Sequence, residues 1–515
     1  MDSDSPCTVT LGAPRLTIHD VEALARQSVR ARLDASAHVR LARSHAFVQA
    51  LAARQSPVYG LTTGCGPLAS QAIPPERREE FQRNLVRSHA VTLGEPHPTA
   101  FVRAALAVRA QVFTQGCSGV DPATVEVIVA MLNNGVHPVV REVGSVGASG
   151  DLVELAQLAL AIIGEGTVEF RGALTPAASA LQAAGAAPLV PRHREGLALI
   201  NGTSFHTGAA AVLFARAARL CAAAQVAAAL ALEALRGNLE AFEPALQAAR
   251  PHPEQAAVAA RVARFVSGST LVRDGEASAG TQDAYTLRCI PQVLGAVAGV
   301  IGAARAVVER ELNSVTDNPL FLVDEQRVIH GGNFHGQPVA MALDQLKLAL
   351  VELGVMSERR VARLLDARLS SGLPPFLIRN GAGLHSGFMG LQYCASSMAA
   401  DNAVLAAPAS VHSVPTNANN QDIVSMGMVA ARQAQRVLDN VERMLAIELL
   451  CGAQALELRG AVHAGTGTRA AHALIRTHVA ALLDDRPMHD DVEAVCGLID
   501  AGTLTAAVDA VSPTS

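Results

Sequence analysis

A mainly α-helical fold is predicted by three features of the 515-residue chain. From about residue 206 onward, apolar residues recur at helical spacing along long, alanine-rich runs. Strand signals are confined to short stretches at 168–170 and 321–329, which read as hairpins. There is no internal repeat and no low-complexity tail.

The first 205 residues alternate short helical patterns with Gly/Pro-rich loops, at 57–67, 94–98 and 135–150, and read as one domain. Residues 206–515 read as a second domain, a long helical bundle with C-terminal helices. Periodicity places its long helices at about 207–248, 286–312, 337–368, 383–405 and 425–457. Ala, Leu, Arg and Glu dominate these runs and favour helix by propensity. Small side chains let long helices pack closely, often across subunits.

Composition excludes several function classes. The chain is 50% hydrophobic and 17% charged, enough for a large core. Its net charge of -5 offers no basic surface for nucleic acid or an anionic membrane. With 3% aromatic residues, no Trp and three Tyr, stacking platforms for bases are not expected. The positive mean hydropathy comes from alanine. The most apolar run, 220–232, is flanked by Arg216, Arg219 and Glu233 and is expected to fall short of a bilayer span. The acidic start Met1-Asp2-Ser3-Asp4-Ser5 does not read as a secretory signal. Eight scattered Cys without a CxxC pair fit a reducing cytoplasm. His489-Asp490-Asp491 reads as an acid-rich helix start, and no metal site is expected.

The segment Gly144-Ser145-Val146-Gly147-Ala148-Ser149-Gly150-Asp151-Leu152 carries most of the chemistry. It lacks the spacing of a phosphate-binding glycine loop. Its plainest role is to cap the following helix through Ser149 or Asp151. A second chemistry is open to it. Glycine after serine supplies an unhindered amide nitrogen, and alanine before it is small. A tight bend can press the Gly150 nitrogen onto the Ala148 carbonyl carbon. Cyclisation with loss of two waters then leaves a five-membered imidazolone, with a methylene at the old Ser149 β-carbon. Asp151 is placed to assist that dehydration or to cap the helix.

The chain resembles the histidine, phenylalanine and tyrosine ammonia-lyases over roughly residues 15–500, nearest overall to the histidine enzymes. Matching segments follow in one order: Tyr59-Gly60-Leu61-Thr62-Thr63-Gly64-Cys65-Gly66, Asn84-Leu85-Val86-Arg87-Ser88-His89-Ala90, the Ala148-Ser149-Gly150 loop and Leu199-Ile200-Asn201-Gly202-Thr203. They continue with Gln282-Asp283-Ala284-Tyr285-Thr286-Leu287-Arg288, Asp317-Asn318-Pro319-Leu320, Gly332-Asn333-Phe334-His335-Gly336 and Asn420-Gln421-Asp422-Ile423-Val424-Ser425-Met426. The resemblance implies an N-terminal domain bearing the 4-methylidene-imidazol-5-one (MIO) electrophile, built from Ala148, Ser149 and Gly150 with no external cofactor. It also implies a small amino acid substrate and a homotetramer with active sites assembled from several subunits.

Elimination of ammonia requires an activated amine, removal of a weakly acidic β-proton and a held carboxylate. By resemblance, the electrophile accepts the amine and Tyr59 is the general base. Its phenol is expected to be pushed toward phenolate by nearby donors and positive charge. Arg288 resembles the carboxylate clamp. Tyr285, three residues earlier, is expected on the same helix face beside the electrophile. Asn201 and Gln282 resemble polar partners of the MIO oxygen and the substrate, and Phe334 a residue that covers the MIO ring.

Substrate signals point two ways. Ser88 and His89 occupy the positions that face the substrate ring and resemble the histidine lyases, as does Met389. Gln421 resembles the phenylalanine and tyrosine lyases, because histidine lyases carry a carboxylate there. An amide can accept from an imidazole N–H but cannot titrate. The balance leans to L-histidine giving urocanate, with coumarate or cinnamate from tyrosine or phenylalanine as the alternative. An MIO aminomutase and a catalytically inactive helical scaffold are the other readings. Three departures from the family pattern stand out: Thr62, Cys65 and Glu154, the last expected to be electrostatically acceptable in a helix's first turn.

Overall fold

The computed structural model describes residues 7–13, 15–54, 57–274 and 282–512. The acidic start at 1–5 lies outside them. The described chain is mainly helical, with short strands in two- and three-stranded pieces. It divides into two compact units, each discontinuous in sequence.

The first unit comprises Met1–Ala215, Ala304–Asp344 and Pro408–Arg432. Its helix Thr99–Thr114 is buried on every side from Phe101 to Thr114, as a central core helix must be. Two arginines lie inside that core. Arg103 donates to the carbonyls of Leu24 and Leu132, which belong to the last turns of Ile18–Ala25 and Pro122–Asn134. The guanidinium thereby adds a donor where the regular intrahelical bonding of these carbonyls runs out. Arg109 reaches Ser204 and the Ala198 carbonyl.

Both expected hairpins form. Thr167–Phe170 pairs with Ala173–Pro176 and with Val136–Pro138, and Leu320–Leu322 pairs with Arg327–Ile329. A parallel pair, Thr8–Leu11 with Arg30–Leu33, was not anticipated, because four residues are too few to show alternation.

The second unit comprises Arg216–Ala303, Gln345–Ala407 and Gln433–Ser515. The long helices are Ser204–Ala234, Ile290–Glu311, Gln337–Leu365, Met389–Leu405 and Gly427–Arg459. All but Met389–Leu405 contribute residues to both units, so no single division such as 205/206 separates them. The first run ends earlier than its composition suggests. The chain leaves the helix at Arg236, in the left-handed region, and at Gly237, where a Cβ would lie 2.3 Å from Leu232. Alanine continues past this break, so propensity conceals it. Inside the unit, Arg360 and Glu448 form a fully buried pair.

Ser204–Ala234 and Ile290–Glu311 are long and apolar enough to cross a membrane by length and composition. This corrects the expectation drawn from 220–232 alone, since alanines before Arg216 extend the apolar run. In the first of these helices 67% of the apolar window is buried inside the protein.

Candidate active site

The Ala148-Ser149-Gly150 loop connects the strand Arg141–Val143 to the helix Leu152–Ile162. Ser149 and Gly150 both adopt left-handed backbone, with φ of 50° and 83°. Any Cβ at Gly150 would lie 2.0 Å from the Gly202 carbonyl oxygen, so only glycine fits. The two segments, at 149–151 and at 202, are stitched together here. Gly202 N–H donates to the Ser149 carbonyl (3.0 Å), and Asp151 N–H donates to the Gly202 carbonyl (2.8 Å). On the other side, Met426 N–H donates to the Val146 carbonyl (3.0 Å), and a Cβ on Gly147 would strike Ser425.

Asp151 differs from the sequence expectation. Its side chain makes no capping bond to its own helix. It accepts instead from the N–H groups of Phe205 (3.0 Å) and His206 (2.8 Å), at the start of Ser204–Ala234. Glu154 differs too. It is fully buried, its Oε1 accepts from Ser145 N–H (2.8 Å), and Oε2 has no partner. Burial, reinforced by the Asp151 carboxylate, pushes its pKa up to about 8. At neutral pH it is mostly protonated, so burial, not its place in the first turn, decides its charge.

Tyr59 lies half-buried after the helix Ala35–Ala53. Its hydroxyl accepts from Gly66 N–H at 2.8 Å. Contrary to expectation, the phenol is pushed up, not toward phenolate. Burial is the main cause and the neighbouring Cys65 adds to it, while Gly66 N–H and Arg194 pull the other way. The Cys65 thiol is itself pushed up to about 11 by burial. Arg194 is fully buried and paired in two bonds with Asp317 (2.8 and 2.9 Å), and it also donates to the Ser118 and Asn318 carbonyls. Arg194 lies in none of the recognised motifs, and sequence reasoning missed it. Its partner Asp317 opens the Asp-Asn-Pro-Leu motif.

Gln421 Nε2 donates to Ser149 Oγ at 3.3 Å, and its Oε1 accepts from Thr416 (2.9 Å). These contacts place it on the loop itself. Asn201 ends the helix Glu195–Ile200; its side chain is buried, with Oδ1 unpaired. Ser88 and His89 close the helix Arg78–His89. His89 Nδ1 lies 2.9 Å from the Leu85 carbonyl, which can only accept. In that contact the proton lies on Nδ1. Phe334 lies partly buried in a turn.

The remaining candidates belong to the second unit. Arg288 Nη1 donates to Gln282 Oε1 at 2.5 Å, and its guanidinium lies 4.7 Å from the Tyr285 ring centroid, so Tyr285 and Arg288 do share a face. Gln282, Tyr285 and Arg288 line a cleft of about 590 Å³ with Asn238. Asp283 anchors this segment by accepting from Asn238 N–H (2.6 Å) and pairing with Arg273. Tyr285 remains 70% exposed. Met389 starts the helix Met389–Leu405. Among the described residues no His/Cys/Asp/Glu cluster could hold a metal ion.

Residues 16–477 match the aromatic amino acid lyase family. The chain belongs to that family. The lyase is 48% identical to a histidine ammonia-lyase of Symbiobacterium thermophilum, over 98% of this chain and 99% of the relative. It is 48% identical to a histidine ammonia-lyase of Gloeobacter violaceus, over 96% of each. Among solved structures, a tyrosine aminomutase of Streptomyces globisporus superposes with a TM-score of 0.94 at 37% identity, covering 99% of both chains. A histidine ammonia-lyase of Trypanosoma cruzi gives 0.91 at 36%, covering 98% of this chain and 96% of that one. The lyase is thus an enzyme of the ammonia-lyase class.

Proposed function

We propose that the lyase eliminates ammonia from L-histidine, giving urocanate, with an MIO electrophile made from Ala148, Ser149 and Gly150. The observation that carries the electrophile is the bend at Gly150, where no side chain fits against the Gly202 carbonyl. The residues present fit the group: Gly202 N–H already donates to the Ser149 carbonyl, and Gln421 reaches the Ser149 hydroxyl. The MIO methylene would accept the substrate amine and make it a leaving group. Tyr59 takes the β-proton. Arg288, oriented by Gln282 and stacked on Tyr285, holds the carboxylate in a two-bond fork. Asn201 and Gly202 N–H hold the carbonyl of residue 149. Phe334 covers the site and Met389 lies toward the ring. His89 Nε2 accepts from the substrate ring N–H, with Ser88 beside it.

An accepting Nε2 suits a ring with a donor, which histidine has and phenylalanine lacks. The histidine ammonia-lyase names of the relatives support the same substrate. Gln421 favours a second reading, with tyrosine giving coumarate. The active site is completed in a cytoplasmic homotetramer. Support comes from Tyr285, Val404 and Ile423, which are 67–79% exposed in the single chain, and from Ile290–Glu311, whose apolar window is only 39% buried.

An absorbance assay with L-histidine, L-tyrosine and L-phenylalanine tests the substrate. Urocanate is expected; turnover of tyrosine or phenylalanine without histidine overturns the assignment. Accumulation of a β-amino acid overturns simple elimination, and a full-mass chain, lacking the loss of two waters, overturns the electrophile.

A further inference from the structure

Next to the Ala148-Ser149-Gly150 bend, His206 and Asp151 form a pair, and none of the roles above uses the His206 side chain. His206 Nδ1 lies 2.8 and 2.9 Å from the two Asp151 carboxylate oxygens, and neither side chain has exposed surface. A carboxylate only accepts, so Nδ1 carries the proton. Near-equal distances to both oxygens fix the plane of the carboxylate. Asp151 Oδ1 also receives the Ser145 hydroxyl (3.3 Å), which itself accepts from Gly147 N–H (3.0 Å).

The imidazole has a built site. A Cβ on Gly336 would lie 2.4 Å from Nε2, and one on Gly427 would lie 3.0 Å from Cγ. Gly336 closes the Gly332-Asn333-Phe334-His335-Gly336 motif, so its lack of a side chain makes room for this ring. Nε2 is buried with no partner. A buried unpaired nitrogen is unfavourable, and an apolar side chain of similar volume would avoid it. The Nδ1 bond to Asp151 is what the imidazole supplies in return. Burial works against a charged ring, yet Asp151, with a smaller contribution from Glu311, raises the His206 pKa overall.

We propose that His206 is a positioning residue for maturation of the electrophile: by orienting Asp151 it locks residues 149–151 against residues 202–206 and holds the bend in which Gly150 meets Ala148. This rests on the electrophile reading above. In the maturation step the Gly150 nitrogen bonds to the Ala148 carbonyl carbon. The old carbonyl oxygen leaves as water with the amide protons of Gly150 and Ser149. The Ser149 hydroxyl leaves as the second water with the Cα proton. His206 enters none of these exchanges; it holds the geometry in which they occur.

The test follows intact mass at intervals after a pulse of synthesis, for the full chain and its His206→Leu and His206→Asn variants, with circular dichroism on the same samples. Asn keeps a donor toward Asp151 and Leu does not. Loss of two waters should be about tenfold slower, or incomplete, in His206→Leu, and His206→Asn should restore much of the rate. His206→Met carries the same comparison if the leucine variant does not fold, because its flexible side chain fills irregular space. A folded apolar variant that matures as fast as the wild type overturns the inference, as does an asparagine variant as slow as the apolar one. A wild-type chain of full mass overturns the electrophile reading instead.

Discussion

Replacing Glu154 by glutamine should stabilise the lyase at neutral pH and leave it nearly unchanged in mild acid. Glu154 is fully buried, and its pKa rises from 4.5 to about 8. Below 4.5 the carboxyl is protonated whether the chain is folded or not, so its contribution to stability is complete there. As pH rises, the unfolded chain ionises Glu154 while the folded chain holds it neutral. Stability is lost progressively until the folded group also ionises, near pH 8. Each pH unit in that window is worth about 1.4 kcal/mol, so the penalty at pH 7 is about 3 kcal/mol. Glutamine cannot ionise. It keeps an oxygen to accept from Ser145 N–H and places its amide where Oε2 lacks a partner. The assay is denaturant unfolding of wild type and Glu154→Gln at matched protein concentration, from about pH 5 to about pH 8. The variant's advantage should widen with pH across that window. A gap that stays constant, or that favours the wild type as pH rises, would refute a neutral buried Glu154.

Gly150→Ala should lose both stability and maturation, since its Cβ would lie 2.0 Å from a backbone oxygen that cannot move aside; mass and melting temperature read the two effects, and a mature, stable alanine variant would contradict the geometry. Asp317→Ala leaves Arg194 buried without its carboxylate and should cost about 3–5 kcal/mol; a loss below about 1 kcal/mol in unfolding experiments would show that the pair carries little. Gln421→Glu should raise kcat/KM for L-histidine about tenfold over its effect on tyrosine, because a carboxylate accepts more strongly from an imidazole N–H; no gain would place the substrate ring elsewhere. The Tyr59 phenol is pushed up by burial, so the fraction ionised, and with it kcat/KM, should climb toward alkaline pH; Tyr59→Phe should lose about 10²-fold or more and flatten that limb, and an unchanged profile would remove Tyr59 from the base role.

The helical class and the long helices were legible because alanine-rich amphipathic runs carry a periodic signal over many turns. The short hairpins at 168–170 and 321–329 were legible from β-branched and aromatic residues between turn signals. The end of Ser204–Ala234 was not, because alanine persists across the break and only the left-handed backbone at Arg236 and the close approach of Gly237 to Leu232 mark it. The parallel pair of Thr8–Leu11 and Arg30–Leu33 was hidden for the opposite reason, too few residues to form a pattern. Within the site, motif order singled out Tyr59, Asn201, Tyr285 and Arg288. It did not reveal that Asp151 caps a helix beginning more than fifty residues later, at Ser204. Nor did it pair Arg194 with Asp317 or place Glu154 out of reach of water.

The sequence by itself determined the helical class, the family and the tripeptide able to become an electrophile, because these depend on periodicity and on covalent neighbours. Only the tertiary structure decided the protonation of Glu154, the upward push on Tyr59 and the partner of Asp151. Those properties depend on burial and on which distant groups meet. Desolvation and hydrogen bonding act through space, so residues far apart in the chain set the chemistry of Ala148, Ser149 and Gly150.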